Sequence, residues 1–316
     1  MRAAILALFA VLPALFASAP RADEAAGGWR APDERAAWLE LARRGWGYEL
    51  RKTMFRRDVA VAVRIHGRDF AGAALCIVGE RPHAHSAATI AAFAALLSRA
   101  YGKPLPTRYA GAEATGCGQG RIVMLRLYSG QPPNQAMSRD LEWMNEAYDL
   151  GLPRGRYYAA GSPALGQTFF GKRGRAAHIM VMQPVFARLD PVEAAYFKSI
   201  LIEELFQSFT YGMDVLHFDR KEAFRSKLQE IPERRDRWSW SSRGFMASLL
   251  RSNPAALCPF DVFMMHAVGL APTAETTDPA FIDFIETDYD RLAALTAATL
   301  ADPAVATIVD PGCRGR

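Results

Sequence analysis

The sequence predicts an α+β protein, in which a mixed sheet with packed helices is followed by a helical C-terminal part. Three observations support this fold class. Residues 58–182 contain short apolar or alternating segments, typical of strands, between longer segments of helical periodicity. A strongly apolar helix follows over 190–209, and further helices are predicted over 259–268 and 279–300. Strands and helices that alternate first, with helices alone afterwards, indicate a sheet covered by helices.

Each element before the apolar helix has its own sequence signal. Ser86 is a candidate N-cap for one helix, which Gly102 and Pro104 end. Residues 153–175 lack a clear period and are predicted to form an irregular loop, and 217–257 are predicted to form a polar, arginine-rich insertion with short helices. The predicted elements in chain order are a helix over 33–44, strands over 58–66 and 70–78, a helix over 86–101, a strand over 121–128, a helix over 138–150 and a strand over 176–182.

The helix that begins at Asp190 contains the strongest anomaly in the sequence. Asp190 as N-cap, Pro191 at the first helical position and Glu193 three residues after the cap form a predicted capping box. The second half of the helix is apolar almost all round, which is typical of a buried helix. Glu203, Glu204 and Gln207 would then lie in or beside a core, where ionised carboxylates are costly unless they are paired or ligated.

The N-terminal residues 1–22 are predicted to be a cleavable signal peptide. Arg2 is followed by an apolar run over 3–16, and Ala17-Ser18-Ala19 is a candidate cleavage site. Pro20 is unfavourable directly after that site, and cleavage after Ala22 is the alternative. An uncleaved anchor is the alternative, and a lipoprotein anchor has no cysteine to attach to. No later apolar stretch is long enough to cross a bilayer, so we expect a periplasmic or secreted protein without a transmembrane segment after signal removal.

Four cysteines favour disulfides in such an exported protein, because no C-x-x-C spacing indicates zinc or redox chemistry. Three pairings are possible. We favour Cys76–Cys117 and Cys258–Cys313, since each pair joins neighbours in sequence within one half of the chain.

The formal charge of +5 is mild, and the basic residues are scattered without an aromatic-interleaved stripe. We therefore expect no nucleic-acid binding. The Arg/Trp-rich segment 234–245 is a candidate docking segment for an envelope protein partner whose identity is unknown.

Glu203-Glu204-x-x-Gln207 has the spacing of the zinc-protease H-E-x-x-H motif with both histidines replaced. Glu203 and Gln207 share a helix face, and Glu204 has the position of the general base. Glutamine is a poor zinc ligand, and without a metal to activate water one glutamate has little hydrolytic power. No zinc site is predicted. Two interpretations of these acidic residues remain. One is a binding site for a hard divalent cation at Glu203, Glu204 and Asp214, and the other is a buried polar network that orders the core.

Other candidate motifs are weaker. His83 and His85 could bind a metal from one face of an extended segment, but a surface loop is the favoured interpretation, and His178 is interpreted as a structural histidine within a strand. Gly166 to Lys172 imitates a phosphate-binding loop but precedes a strand and is interpreted as chance. The glycine-rich segment 116–120 also precedes a strand and is interpreted as a turn, not as a dinucleotide-binding motif.

The segment from Ser199 to Asp214, which contains Glu-Glu-Leu-Phe-Gln, resembles the signature of the exported bacterial family catalogued as domain of unknown function 2927. The helix that begins Phe260-Asp261 resembles a later helix of that family, and the similarity spans roughly 50–272. Thr210 departs from the glycine usual in the family. The resemblance implies a zincin-like fold whose H-E-x-x-H helix has lost its histidines, and it implies no established activity.

The sequence thus predicts three parts: the signal peptide over 1–22, a zincin-like α+β domain over 23–272 with the insertion at 217–257, and a C-terminal helix and tail over 273–316. The expected function is that of an exported binding or structural module of unknown ligand that lacks conventional zinc catalysis and a cofactor. The alternative is a metal-dependent hydrolase with Glu204 as general base and atypical ligands such as His83, His85 or His178.

Overall fold

A computed structural model describes the protein over residues 34–46, 68–217, 219, 221–233, 238–273, 275–276, 279–310 and 313. The predicted signal peptide over 1–22, the predicted strand over 58–66 and residues 234–237 of the arginine-rich segment lie outside these residues.

The centre of the fold is a mixed five-stranded sheet. Its strands are β1 (Ala74–Gly79), β2 (Thr107–Tyr109), β3 (Ile122–Tyr128), β4 (Ala164–Gly171) and β5 (Gly174–Met182). In space they follow the order β2-β1-β3-β5-β4, with β4 alone antiparallel to its neighbour. All seven residues of β3 are buried, as expected for a central parallel strand that is covered on both faces. The predicted α+β class with a mixed sheet is confirmed.

Helices pack on this sheet and on one another. They are α1 (Arg35–Trp46), α2 (Ala84–Tyr101), α3 (Asn134–Tyr148), α4 (Pro191–Thr210), α5 (Arg243–Ser252), α6 (Pro259–Leu270), α7 (Pro279–Thr287), α8 (Tyr289–Leu300) and α9 (Pro303–Ala306). The predicted capping box of α4 is present, because Asp190 accepts from the backbone of Val192 and Glu193. The buried helix α6 contacts α2 and α8, so the C-terminal helices share the core of the preceding elements.

The prediction of an irregular loop over 153–175 is wrong, because β4 and the turn into β5 lie there. Edge strand β4 is half-buried along its length and therefore lacks the apolar run that identified β3. Its glycines also lower the strand signal, yet close packing requires them. A Cβ atom at Gly171 would lie 2.8 Å from Leu150 Cδ2 and closer still to the Tyr148 carbonyl. The phosphate-loop imitation from Gly166 to Lys172 is thus an edge strand and its turn.

Three smaller expectations also differ from the structure. Helix α2 begins at Ala84 with His83 as N-cap, and Ser86 is buried within its first turn. The helix predicted over 279–300 is two helices, with Asp288 between them. The segment 217–257 contains α5 and also the short strand β7 (Gln229–Glu230), which pairs in parallel with β6 (Val215–Leu216) just before the segment.

Two disulfides join the pairs that we favoured. Cys76 in β1 is bonded to Cys117, with a Cα–Cα distance of 5.7 Å, and Cys258 at the start of α6 is bonded to Cys313, with a Cα–Cα distance of 5.3 Å. Among the described residues, none of the helices has both the length and the apolar character that a membrane span requires. The two disulfides are compatible with a periplasmic or secreted protein.

Candidate functional site

The candidate site lies on the second half of α4. This helix is long and apolar because it packs against β4, β5 and the helices α2, α5 and α6. The polar residues Glu203, Glu204 and Gln207 interrupt its apolar surface and remain only partly buried. Asp214 follows the helix and is exposed. We refer to Glu203, Glu204 and Asp214 as the acidic cluster.

Glu203 is held by a buried lysine from the segment that precedes β7. Lys227 has no exposed side-chain surface, and its Nζ donates to Glu203 Oε2 at 2.8 Å. The same ammonium donates to Ser199 Oγ at 2.9 Å and to Asn253 Oδ1. Asn253 Nδ2 donates to the other oxygen of Glu203 at 3.2 Å. Both oxygens of the Glu203 carboxylate are therefore hydrogen-bonded within the protein.

The N-terminus of α6 fixes the backbone that supplies this lysine. Asp261 Oδ2 accepts from Lys227 N at 2.8 Å and from Cys258 N at 2.7 Å, and its Oδ1 accepts from Ser226 Oγ at 2.5 Å. Burial raises the pKa of Asp261 to about 6, although these hydrogen bonds act in the opposite direction. Asp261 thus ties α6, its disulfide and Lys227 together.

Glu204 has a different environment. Its carboxyl group lies against Gly166 of β4, where a Cβ atom would collide with Glu204 Oε2. No donor among the described residues hydrogen-bonds this carboxyl group. Burial raises the pKa of Glu204 well above its usual range, and the charges of Glu203 and Asp214 raise it further.

Gln207 and Asp214 form a pair at the end of α4. Gln207 Nε2 donates a short hydrogen bond to Asp214 Oδ1. Although the residue is exposed, partial desolvation of its carboxyl group by neighbouring atoms, followed by the charges of Glu203 and Glu230, raises the pKa of Asp214 to about 7. Gln207 therefore contacts a carboxyl group with its amide, and the charge of Glu203 acts on that same carboxyl group.

His178 is far from this site because it faces the other side of the sheet. Gly166, which contacts Glu204 on α4, pairs with Ile179 of β5. Since successive strand residues point to opposite faces, His178 points away from α4. Its Nε2 lies 3.0 Å from Asp140 Oδ2 on α3. His178 is a structural histidine, and the candidate ligand role for it has no geometric basis.

His83 and His85 lie at the start of α2. The backbone nitrogen of His83 donates to Gln183 Oε1 at 3.0 Å, and the His85 ring lies near the backbone of Ala194. Ala194 is ten residues before Glu204 on α4, a distance of about 15 Å along the helix axis. Among the described residues, no three His, Cys, Asp or Glu side chains are grouped so that they could hold a metal ion.

The candidate docking segment is described only from Trp238 onward. Trp238 is 45% exposed, and Arg243 pairs with Asp190 at the N-cap of α4. A partner for this segment stays a prediction.

Sequence reasoning located the acidic side chains of the site but missed Lys227, Asn253, Ser199 and Asp261. The available signal was charge balance, since carboxylates on an apolar helix require a cation. The sequence does not show which of its many basic residues supplies this cation. Lys227 and Asn253 meet Glu203 only in the folded protein, and they lie 24 and 50 residues from it along the chain.

No family model, no curated protein and no solved structure matches this chain. The resemblance to the family of domain of unknown function 2927 therefore stays a prediction, and the argument for function depends on the geometry of α4 and its partners.

Proposed function

We propose that this chain is an exported, zincin-like module of the domain of unknown function 2927 type that binds or scaffolds an unknown ligand without zinc catalysis. The position of the Glu-Glu-x-x-Gln segment supports the zincin-like assignment, because this helix packs on a mixed sheet with Glu204 against the edge strand. The two disulfides are compatible with the proposed exported location.

The observation that carries this proposal is that Glu203 and Gln207, the two residues of α4 at ligand positions, are both engaged by other side chains of the protein. Glu203 and Gln207 have the positions that histidines have in an H-E-x-x-H helix. The carboxylate of Glu203 is engaged by Lys227 and Asn253, and the amide of Gln207 is engaged by Asp214. Ligation of zinc by Glu203 would require the displacement of a buried ammonium, and glutamine is a weak ligand. These residues do not fit a zinc ion.

Metal content and peptide hydrolysis test the proposal directly. We expect the purified mature protein to contain zinc well below one ion per chain, and to hydrolyse a mixed peptide library no faster than buffer. Glu204→Gln should leave this background unchanged, as should the control Glu142→Gln at an exposed position on α3. Stoichiometric zinc together with hydrolysis that Glu204→Gln abolishes would overturn the proposal.

One observation favours the alternative of a hydrolase. The carboxyl group of Glu204 is partly buried, has a raised pKa and accepts no hydrogen bond from the part of the chain that the structure describes, which are properties of a general acid or base. If Glu204 has this role, Glu204→Gln should lower the activity toward a suitable substrate by about 10²–10⁴-fold. Glu142→Gln should not change it.

A further inference from the structure

Lys227 has the coordination of a bound cation. Its side chain is completely buried, and oxygen atoms of three side chains surround its ammonium group, from Ser199, Glu203 and Asn253. An ammonium group has three donors, so these contacts satisfy all of them. A lysine is almost never fully buried unless it is paired, so the position of this charge is specific.

The carboxyl groups around Lys227 come from several elements. Glu203 and Glu204 belong to α4, Asp214 follows it, Glu230 lies on β7 next to Asp214, and Asp261 lies at the start of α6. Lys227 opposes the raised pKa of three of them, Glu204, Asp214 and Asp261. One ammonium charge cannot neutralise every carboxyl group in this set.

We infer that the Lys227 ammonium is the resident cation of the acidic cluster at Glu203, in the role that a bound metal would otherwise have. Its contacts with Ser199, Glu203 and Asn253 supply there the positive charge that an external ion would otherwise have to supply. The inference depends on the proposed function, since a bound zinc ion would supply that charge instead.

The test is to remove the charge and keep the volume. Lys227→Met preserves an unbranched side chain of similar length without the ammonium, and Lys172→Met is the matched control at an exposed position. Stability is measured by urea unfolding of the full mature chain at pH 5 and at pH 8. We expect Lys227→Met to lower the folded-to-unfolded ratio at pH 8 by roughly a hundredfold to a few thousandfold, because an uncompensated carboxylate remains buried. The control should change the ratio by less than about threefold.

The pH dependence separates charge from packing. At pH 5 protons can replace the ammonium in balancing the charge of the carboxyl groups. The factor by which Lys227→Met lowers the folded-to-unfolded ratio should therefore be at least about tenfold smaller at pH 5 than at pH 8. Glu203→Gln in the Lys227→Met background should also restore much of the stability at pH 8, because the unpaired charge is then gone.

A loss of equal size at both pH values, with no restoration by Glu203→Gln, would overturn the inference and assign Lys227 a packing role. The inference would also be overturned if the Lys227→Met protein stayed unfolded at pH 5 and if adding Glu203→Gln did not restore folding. Stoichiometric zinc in the wild-type protein is a separate result, which contradicts the proposed function whatever the variants show.

Discussion

Two clusters of charge within the described residues are built in opposite ways. In the first, Arg126 of β3 holds Asp140 of α3 with two hydrogen bonds, and His178 of β5 contacts the same carboxylate. In the second, a single lysine faces the several carboxyl groups around α4. Both clusters contain a side chain that water does not reach, Asp140 in one and Lys227 in the other.

The difference appears in the behaviour of the carboxyl groups. Burial alone would raise the pKa of Asp140, but the hydrogen bonds and charges of Arg126 and His178 reverse this effect and lower it. At Glu204 and Asp214 burial and like charges dominate, and both pKa values are raised. The lowered pKa of Asp140 is typical of a paired structural carboxylate, whereas raised pKa values of carboxyl groups are found more often at functional sites.

The largest effect is expected from breaking the balanced cluster. Arg126→Met leaves the Asp140 carboxylate buried without its main partner, so the free energy of unfolding should fall by about 3–5 kcal/mol. Urea unfolding at neutral pH measures this loss. Arg139→Met is the control, because the pair of Arg139 with Glu113 is more than half exposed and should contribute less than about 1 kcal/mol. Equal losses for the two variants would show that the first cluster is not a stabilising pair.

Removal of the disulfide beside the second cluster is expected to have the next largest effect. Cys258 precedes Asp261, which anchors the backbone of Lys227. The double change to serine at Cys258 and Cys313 should cost about 2–4 kcal/mol and should steepen the loss of stability with rising pH. The same change at Cys76 and Cys117, which support the sheet near Arg126, should destabilise without that steepening. Thermal unfolding across a pH series distinguishes the two, and identical pH slopes would contradict the link between Cys258 and Lys227.

Gly166→Ala tests the close approach of β4 to Glu204. The added Cβ atom would meet Glu204 Oε2, the end of a flexible side chain that can turn aside, so we expect a loss below about 1 kcal/mol. Gly161→Ala is the matched control, since a Cβ atom there meets no atom within 4 Å. Glu204→Ala should relieve much of the loss when it is combined with Gly166→Ala, and an additive double variant would show that the two residues do not interact.

The smallest effect is expected for Asp214. Because its pKa in the folded state is about 7 and its unfolded value is about 3.9, the folded state holds this proton to a higher pH. Stability from this group is therefore present at low pH and is lost as the pH rises through about 7. Asp214→Asn should reduce the fall in the free energy of unfolding between pH 5 and pH 8 by less than about 1 kcal/mol, because the residue is exposed and water screens its charge. An unchanged slope between pH 5 and pH 8 would contradict the assignment.

Local signals in the sequence predicted the elements that depend on local chemistry. The capping box at Asp190, the fully apolar strand β3 and the apolar helix α4 each follow from residues within one element. The pairing of Cys258 with Cys313 followed from proximity within one half of the chain. Where a signal was missed, as at β4, the strand was half-exposed and its glycines served contacts with distant residues.

Of the candidate site, the sequence predicted only the acidic residues and Gln207, because contacts between distant residues leave no local signal. Glu203 and Gln207 were identified by spacing on one helix, but Lys227 and Asn253 meet them through the tertiary fold. The segment 217–257 was predicted as an insertion, yet it supplies the cation of the site. Composition alone does not show which polar segment enters the core.

The central claim is that the protein's own lysine, and not a metal ion, compensates the charge of Glu203 on α4. Elemental analysis of the mature protein, purified from the cell envelope without chelators or an affinity tag, tests this claim most directly. We predict far less than one zinc ion per chain in the wild-type protein. One zinc ion per chain that is lost on Glu203→Ala, and not on Glu142→Ala, would contradict it.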